Sequence, residues 1–124
     1  MTKKFLEKNA DAFYLAFRII VGLVFFLHGW MKVQMLMAGQ IQLVSLFGLA
    51  MIIEVVGGLF IVFGFMTRWT ALIAAVEMIV AYFMVHFPGG VNPLVNKGEP
   101  AVLFFAAFLV LLAFGARRWA IDKS

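Results

Sequence analysis

Four windows of mainly apolar residues, roughly 13–33, 43–66, 69–87 and 99–119, fill most of this chain. A helix needs about 20 such residues to cross the hydrocarbon core of a bilayer, and a backbone in lipid has to satisfy its own polar groups. The pattern therefore predicts an all-α integral membrane protein, a four-helix bundle in one domain spanning residues 1–124. With 65% of the residues apolar and 13% charged, no length remains for a separate soluble catalytic module. The lipid bilayer is the first partner of such a chain. The linkers "QMLMAGQIQ", "TR" and "PGGVNPLVNKG" are short and carry the Gly, Pro and Asn that turns use. Pro100, just after Glu99, suits the first turn of the fourth helix.

The net charge of +4 comes from ten Lys and Arg residues that sit near the ends of the apolar windows, which argues for topology rather than for nucleic acid. Lys3, Lys4 and Lys8 precede the first window, Arg68 lies between the second and third, and Arg117, Arg118 and Lys123 follow the fourth. The other two connections hold only Lys32 and Lys97. By the positive-inside rule both termini are expected in the cytoplasm, which makes the chain a multi-pass protein of the cell inner membrane. Trp69 and Trp119 then mark the inner interface and Trp30 the outer one. The N-terminal apolar run lacks a small-residue cleavage site and reads as a retained first span. The absence of cysteine excludes disulfides, thiol catalysis and cysteine-ligated iron–sulfur clusters.

Lipid rejects ionisable groups, so Arg18, His28, Glu54, Glu77 and His86 each require a partner or a purpose. Glu54 shares a helical face with Ala50, Gly57, Gly58 and Ile61, and Arg18 lies on a stripe with Gly22, Phe25 and Gly29. Two small-residue seams of this kind favour close helix packing. They predict an Arg18–Glu54 ion pair in which the cation keeps the acid ionised. Glu77 has no evident basic partner and is read as a neutral acid bonded to the backbone or to Tyr82, or as an acid turned into a polar cavity.

In "FFLHGWMK", residues 25–32, His28 is expected to line a cavity while Trp30 and Lys32 anchor the interface. His28 and His86 fall at similar depth near the outer ends of their helices. Imidazoles so placed suit interfacial capping, hydrogen bonding to a quinone carbonyl or, less well so near the surface, haem ligation. Met31, Met35 and Met37 follow His28, and thioethers with an imidazole suit monovalent copper, but methionine is also an ordinary apolar filler. Haem and copper are both disfavoured, and no metal site is expected.

The blocks "FRIIVGLVFFLHGWMK", "EVVGGLFIVFGFMTRWTAL" and "AYFMVHFPGG" resemble the DoxX family of small four-helix membrane proteins. The resembling positions are Arg18, Gly22, His28 and Gly29, then Glu54, Gly57, Gly58, Gly64, Thr67 and Arg68, then His86. The resemblance implies a component linked to quinone-dependent redox chemistry. Joined to the residues above, it leads to the expectation of an outer-facing cavity that binds a quinone or similar lipophilic molecule. Glu54 and His28 would do the chemistry there, and His28, His86 and Arg18 would hold the ligand. The alternatives are a non-enzymatic subunit that docks a redox partner protein through its outer loops, and a small transporter. Whether the isolated chain is an enzyme, and whether it forms a homo-oligomer, stay open.

Overall fold

The computed structural model describes residues 2–123, and every regular element among them is helical. A short helix, α1 (Lys3–Lys8), starts at Thr2, whose hydroxyl accepts the Phe5 amide at 3.2 Å. Next comes α2 (Ala10–Met37), whose 28 residues make it about 42 Å long and the longest element. The chain returns in α3 (Leu46–Phe63), capped by Ser45, which accepts the Gly48 amide at 3.1 Å. Gly64 ends α3 in the left-handed region at φ 67°, with the Phe65 amide bonded back to the Phe60 carbonyl at 2.8 Å. This is the αL termination that glycine permits at no steric cost.

The third span, α4 (Thr67–Ala81), continues through a π-helical turn at Tyr82–His86 and a 3₁₀ turn at Phe87–Gly89. Together these make one apolar helix of 23 residues. The last apolar helix, α5 (Glu99–Phe114), carries Pro100 in its first turn as expected, but its 16 residues stop five short of the expected boundary at Trp119, so it is shorter than the three helices long enough to cross a membrane. Gly115, at φ 71°, turns the chain out of the helix, and residues 116–122 fold back beneath the bundle.

Successive spans run antiparallel, with α2 packed most extensively on α3 and α4 on α5. The α2–α3 approach is set by glycines. A Cβ at Gly22 would stand 2.8 Å from the Gly58 carbonyl oxygen, and one at Gly58 would stand 2.6 Å from the Phe26 amide nitrogen. On the other side of the bundle Ala71, Ala74 and Ala75 leave room for Phe25, Phe108 and Leu111 to fill the centre, with the Phe25 and Phe108 rings edge to face at 4.8 Å. Large apolar side chains such as Leu23, Ile52, Ile73 and Leu103 face outward on all sides, as a lipid-embedded bundle requires.

Both termini lie at one end of the bundle, where Arg117 pairs with Asp11 at 3.4 Å and the Tyr14 hydroxyl donates to the Gly115 carbonyl at 2.6 Å. Arg18, only 1% exposed, binds this end together. Its Nη1 donates to the carbonyls of Ala116 and Arg118, and its Nη2 to those of Trp119 and Val62, at 2.8–3.3 Å. The tail then pairs with the end of α3 through Ile121 and Asp122 amides donating to the Phe63 and Gly64 carbonyls. Asp122 finally caps α4 from outside its own sequence neighbourhood, accepting the Met66 and Thr67 amides at 2.8 and 2.9 Å.

Partial burial disfavours the Asp122 charge. The bonds from Thr67 and Met66, with the Arg18 cation nearby, outweigh that and hold the carboxyl below its usual range. A folded-state value below the unfolded one means that this stabilisation is complete above about pH 4 and is lost as pH falls through the lowered folded value. Replacing Asp122 by Ala is expected to cost about 0.5–2 kcal/mol at neutral pH, as loss of a helix cap does. Thermal unfolding in detergent should show this difference shrinking when both proteins are taken to strongly acidic pH. A gap that stayed constant on acidification would exclude the capping role.

Candidate functional site

The glycine-set register of α2 against α3 decides which polar groups meet. Because Gly22 faces Gly58 and Gly29 faces Glu54 and Val55, the antiparallel pair brings Arg18 level with Val62 rather than with Glu54. Val62 and Glu54 are eight residues apart on α3, about 12 Å along the axis. The expected Arg18–Glu54 pair is therefore not formed. Arg18 spends its guanidinium on the carbonyls of the returning tail, a role that its spacing on the α2 stripe did not reveal.

The partner of Glu54 is Lys32. Its Nζ lies 2.8 Å from Glu54 Oε1, with the lysine side chain 18% and the glutamate 3% exposed. Lys32 stands three residues beyond Gly29, where the helices are in close contact, and its long stem spans the remaining gap. It is thus not a free interface anchor, whereas Trp30 is half exposed and stacks on Phe26 along the lipid face. The contact follows from the register, since a lysine one turn past a glycine that meets Glu54 is within reach of its carboxylate.

The third member of this cluster comes from α4. Gly57 of α3 faces Thr70 of α4, and roughly two turns further along α4 Glu77 stands within electrostatic reach of Glu54 and Lys32. Its Oε1 is buried and meets no donor among the described residues. Neither a backbone group nor Tyr82 takes Glu77, because the Tyr82 hydroxyl donates to the Val91 carbonyl. Glu54 and Lys32 thus pair across α2 and α3, and with Glu77 of α4 nearby three helices contribute to one polar cluster.

His28 sits one turn before Lys32 on α2, half-buried and within electrostatic reach of both Lys32 and Glu54. Its ring stands perpendicular to that of Phe104 on α5, with centroids 5.3 Å apart. It has no hydrogen-bond partner among the described residues, so a ring nitrogen is left for a ligand. His86 belongs to a different setting. Its Nδ1 meets the Asn96 carbonyl at 3.2 Å, in a loop where the Asn96 side chain also bonds the Gly90 carbonyl and the Gly98 amide. Placed in the π-helical turn, His86 serves the fold of the α4–α5 connection, and the structure does not join it to the Glu54 cluster.

His28, Glu54 and His86 line neither of two depressions on the surface. One, of about 620 Å³, lies between α2, the end of α3 and the tail, beside Arg18 and Trp119. The other, of about 150 Å³, lies between α4 and α5 around Tyr82 and Phe105. Arg18 thus lines a groove at the terminal end, remote from His28. Among the described residues no three His, Asp or Glu side chains converge as metal ligands do.

Removing one member of a buried ion pair leaves the other charge uncompensated, at a cost of about 3–5 kcal/mol. Lys32→Met and Glu54→Gln should each lower thermal stability in detergent, and the double substitution should lose much less than the sum of the two. Arg18→Gln combined with Glu54→Gln should instead give additive losses. Additivity for Lys32 and Glu54, or coupling for Arg18 and Glu54, would refute the assignment of partners.

The DoxX family model matches residues 13–87, a stretch that holds Arg18, His28, Lys32, Glu54, Glu77 and His86. An uncharacterized protein of Haemophilus influenzae is 36% identical over 126 residues, covering 95% of this chain and 94% of its own. The inner membrane protein YqjF of Escherichia coli is 32% identical, covering 95% of each chain. CatD of Bacillus subtilis, provisionally named an oxidoreductase, is 30% identical over 94% of this chain and 90% of its own. No solved structure matches the chain. A family match over more than half of the sequence, relatives aligned nearly end to end and a bundle of apolar helices agree: the chain is a multi-pass inner-membrane protein and belongs to the DoxX family.

Proposed function

We propose that this protein is a redox-linked membrane component that binds a quinone or a similar lipophilic molecule beside His28, in the half of the bundle away from the termini. The observation that carries the reading is the Lys32–Glu54 pair, buried at a depth where packing alone is served more cheaply by apolar side chains. An ion pair kept there beside an unpartnered imidazole has the parts that quinone chemistry uses. The imidazole hydrogen-bonds a carbonyl oxygen, and a carboxyl exchanges the proton. Phe104, edge-on to His28, offers an apolar wall for a ring. The oxidoreductase label on CatD supports the same direction.

Reduction of a quinone to its quinol takes two electrons and two protons. In this scheme both electrons come from a redox partner protein, Glu54, recharged from the water outside, delivers one proton to the carbonyl oxygen that His28 holds, and the other carbonyl oxygen takes its proton from that water directly. Lys32 keeps the carboxylate stable in lipid once the proton has left. His86 and Arg18, expected from the sequence to hold the ligand, have structural roles in this scheme. The same reading puts both termini in the cytoplasm, since seven basic residues besides the buried Arg18 lie at the terminal end, and with Lys32 drawn into the bundle the opposite end keeps only Lys97.

The expected outcome is that lipid extracts of the purified protein contain quinone in near-stoichiometric amount. His28→Ala should weaken binding of a quinone analogue roughly tenfold, the effect of losing about one hydrogen bond, while membrane insertion is unchanged. Trp30→Ala should leave that binding intact. An extract free of quinone together with wild-type binding by the His28 variant would overturn the reading.

A further inference from the structure

The terminal end of the bundle buries a cation that forms no ion pair among the described residues. Arg18 is 1% exposed, its hydrogen bonds all go to backbone carbonyls, and its Nε is enclosed without an acceptor. The two acids that tie this end are already engaged. Asp11 pairs with Arg117 and Arg118 at 3.4 and 3.7 Å, and Asp122 gives both carboxylate oxygens to the Met66 and Thr67 amides. Carbonyl dipoles solvate a guanidinium but leave its charge in place, and a charge held in lipid is costly until an anion meets it. We propose that the groove beside Arg18 and Trp119 is a binding site for an anionic phospholipid, with an acyl chain along its apolar walls and the phosphate against the cationic rim formed by Arg118.

The groove measures about 620 Å³, and Arg18 is the one charged residue among those that line it. Leu15 and Ile19 of α2, Phe63 at the end of α3 and Ile121 of the tail give it apolar walls. Ile19, Phe63 and Ile121 are exposed on the outside of the bundle, so a membrane lipid reaches the groove without any element moving. The tail makes its wall in a strained form. Arg117 and Trp119 hold φ at 60° and 58°, where side-chain-bearing residues are uncommon, and Arg18 fixes this course through the Ala116, Arg118 and Trp119 carbonyls. The result sets the Arg118 guanidinium 4.8 Å from the centre of the Trp119 ring, with the arginine side chain 66% exposed. Arginine beside an indole at the membrane interface suits a phosphate diester, which accepts from the guanidinium while its chains stay in lipid. An uncharged lipid or a quinone tail would fill the apolar walls and leave the rim and Arg18 without an anion. The site lies at the end of the bundle away from His28 and does not rest on the quinone reading.

Tryptophan fluorescence reads which lipid is in contact, because bromine on an acyl chain quenches an indole that it touches. Full-length protein with Trp119 as its sole tryptophan, made by Trp30→Phe and Trp69→Phe, is placed in vesicles of equal phosphatidylglycerol and phosphatidylcholine, with the bromine carried by one lipid or by the other. Surface charge is then the same in both vesicles, and only the lipid at the indole decides the signal. Phosphatidylglycerol should occupy the site about fivefold better than phosphatidylcholine, the effect of about one cation beside an anionic headgroup. Arg118→Gln, a change at an exposed side chain that leaves its backbone bonds in place, should bring the two lipids near parity, and concentrated salt should weaken the preference. A protein whose sole tryptophan is Trp69, 66% exposed at the same end, measures diffuse attraction to the basic surface and should show a much smaller preference. Equal quenching by the two lipids at Trp119, a preference at Trp69 as large as at Trp119, or an undiminished preference in Arg118→Gln would each overturn the proposal.

Discussion

An ammonium and a carboxylate placed in hydrocarbon cannot be left to water, and the contact between Lys32 and Glu54 at 2.8 Å makes their burial tolerable. Much of the bundle is arranged so that this contact can form. The lysine is on α2 and the acid on α3, so the two helices must run close enough for a single side chain to bridge them. Gly22, Gly29 and Gly58 provide that approach, since any side chain at these positions would collide with backbone across the seam. The same seam fixes the register, and the register alone distinguishes Lys32 from Arg18 as the partner of Glu54. Glu77 joins from α4 through the small-residue contact at Gly57 and Thr70. The cluster thus records in one place the mutual position of three spans.

The opposite end of the molecule is held by a different device. There the chain leaves α5 at Gly115 and doubles back, which exposes a set of carbonyls that no helix satisfies. Arg18 gathers three of them and the Val62 carbonyl under one planar guanidinium, a geometry its fork of donors suits better than a lysine would. Asp122 returns the favour to α4, whose first amides have no cap of their own. The bundle therefore has a rigid terminal end tied by backbone hydrogen bonds and an opposite half that contains the ionisable cluster and an unpartnered imidazole. Division of this sort leaves chemistry to the half where the polar groups are not consumed by the fold.

Length and hydropathy made the four apolar helices, their antiparallel order and the short connections legible, because these depend on helix geometry and bilayer thickness alone. The first three spans run close to their expected bounds. The end of α5 was not legible, as the apolar run continues through Ala116 while the backbone reverses at Gly115, and a glycine in an apolar run signals a turn only when something waits to receive the chain. The glycine seams on α2 and α3 were visible by spacing, yet spacing gives the face and not the register, so the choice between Arg18 and Lys32 stayed hidden. Lys32 carries a misleading local pattern. Next to Trp30 at a helix end it has the pattern of an interface anchor, and only the position of Gly29 against Glu54 shows that its stem points into the bundle. His86 had the depth of His28 but belongs to a loop network built around Asn96, which no helical periodicity describes.

The central claim is that the buried carboxylate of Glu54 is held by Lys32. Solid-state magnetic resonance of the protein in bilayers, with ¹⁵N in lysine side chains and ¹³C in glutamate carboxyls, tests it through the short-range dipolar coupling between Nζ and Cδ. The account predicts a strong buried Lys–Glu correlation that disappears in Lys32→Met, apart from any signal of the exposed Lys3–Glu7 pair at 3.7 Å. A Glu54 carboxyl that instead shows its coupling to an arginine guanidinium, or to no nitrogen at all, would contradict it.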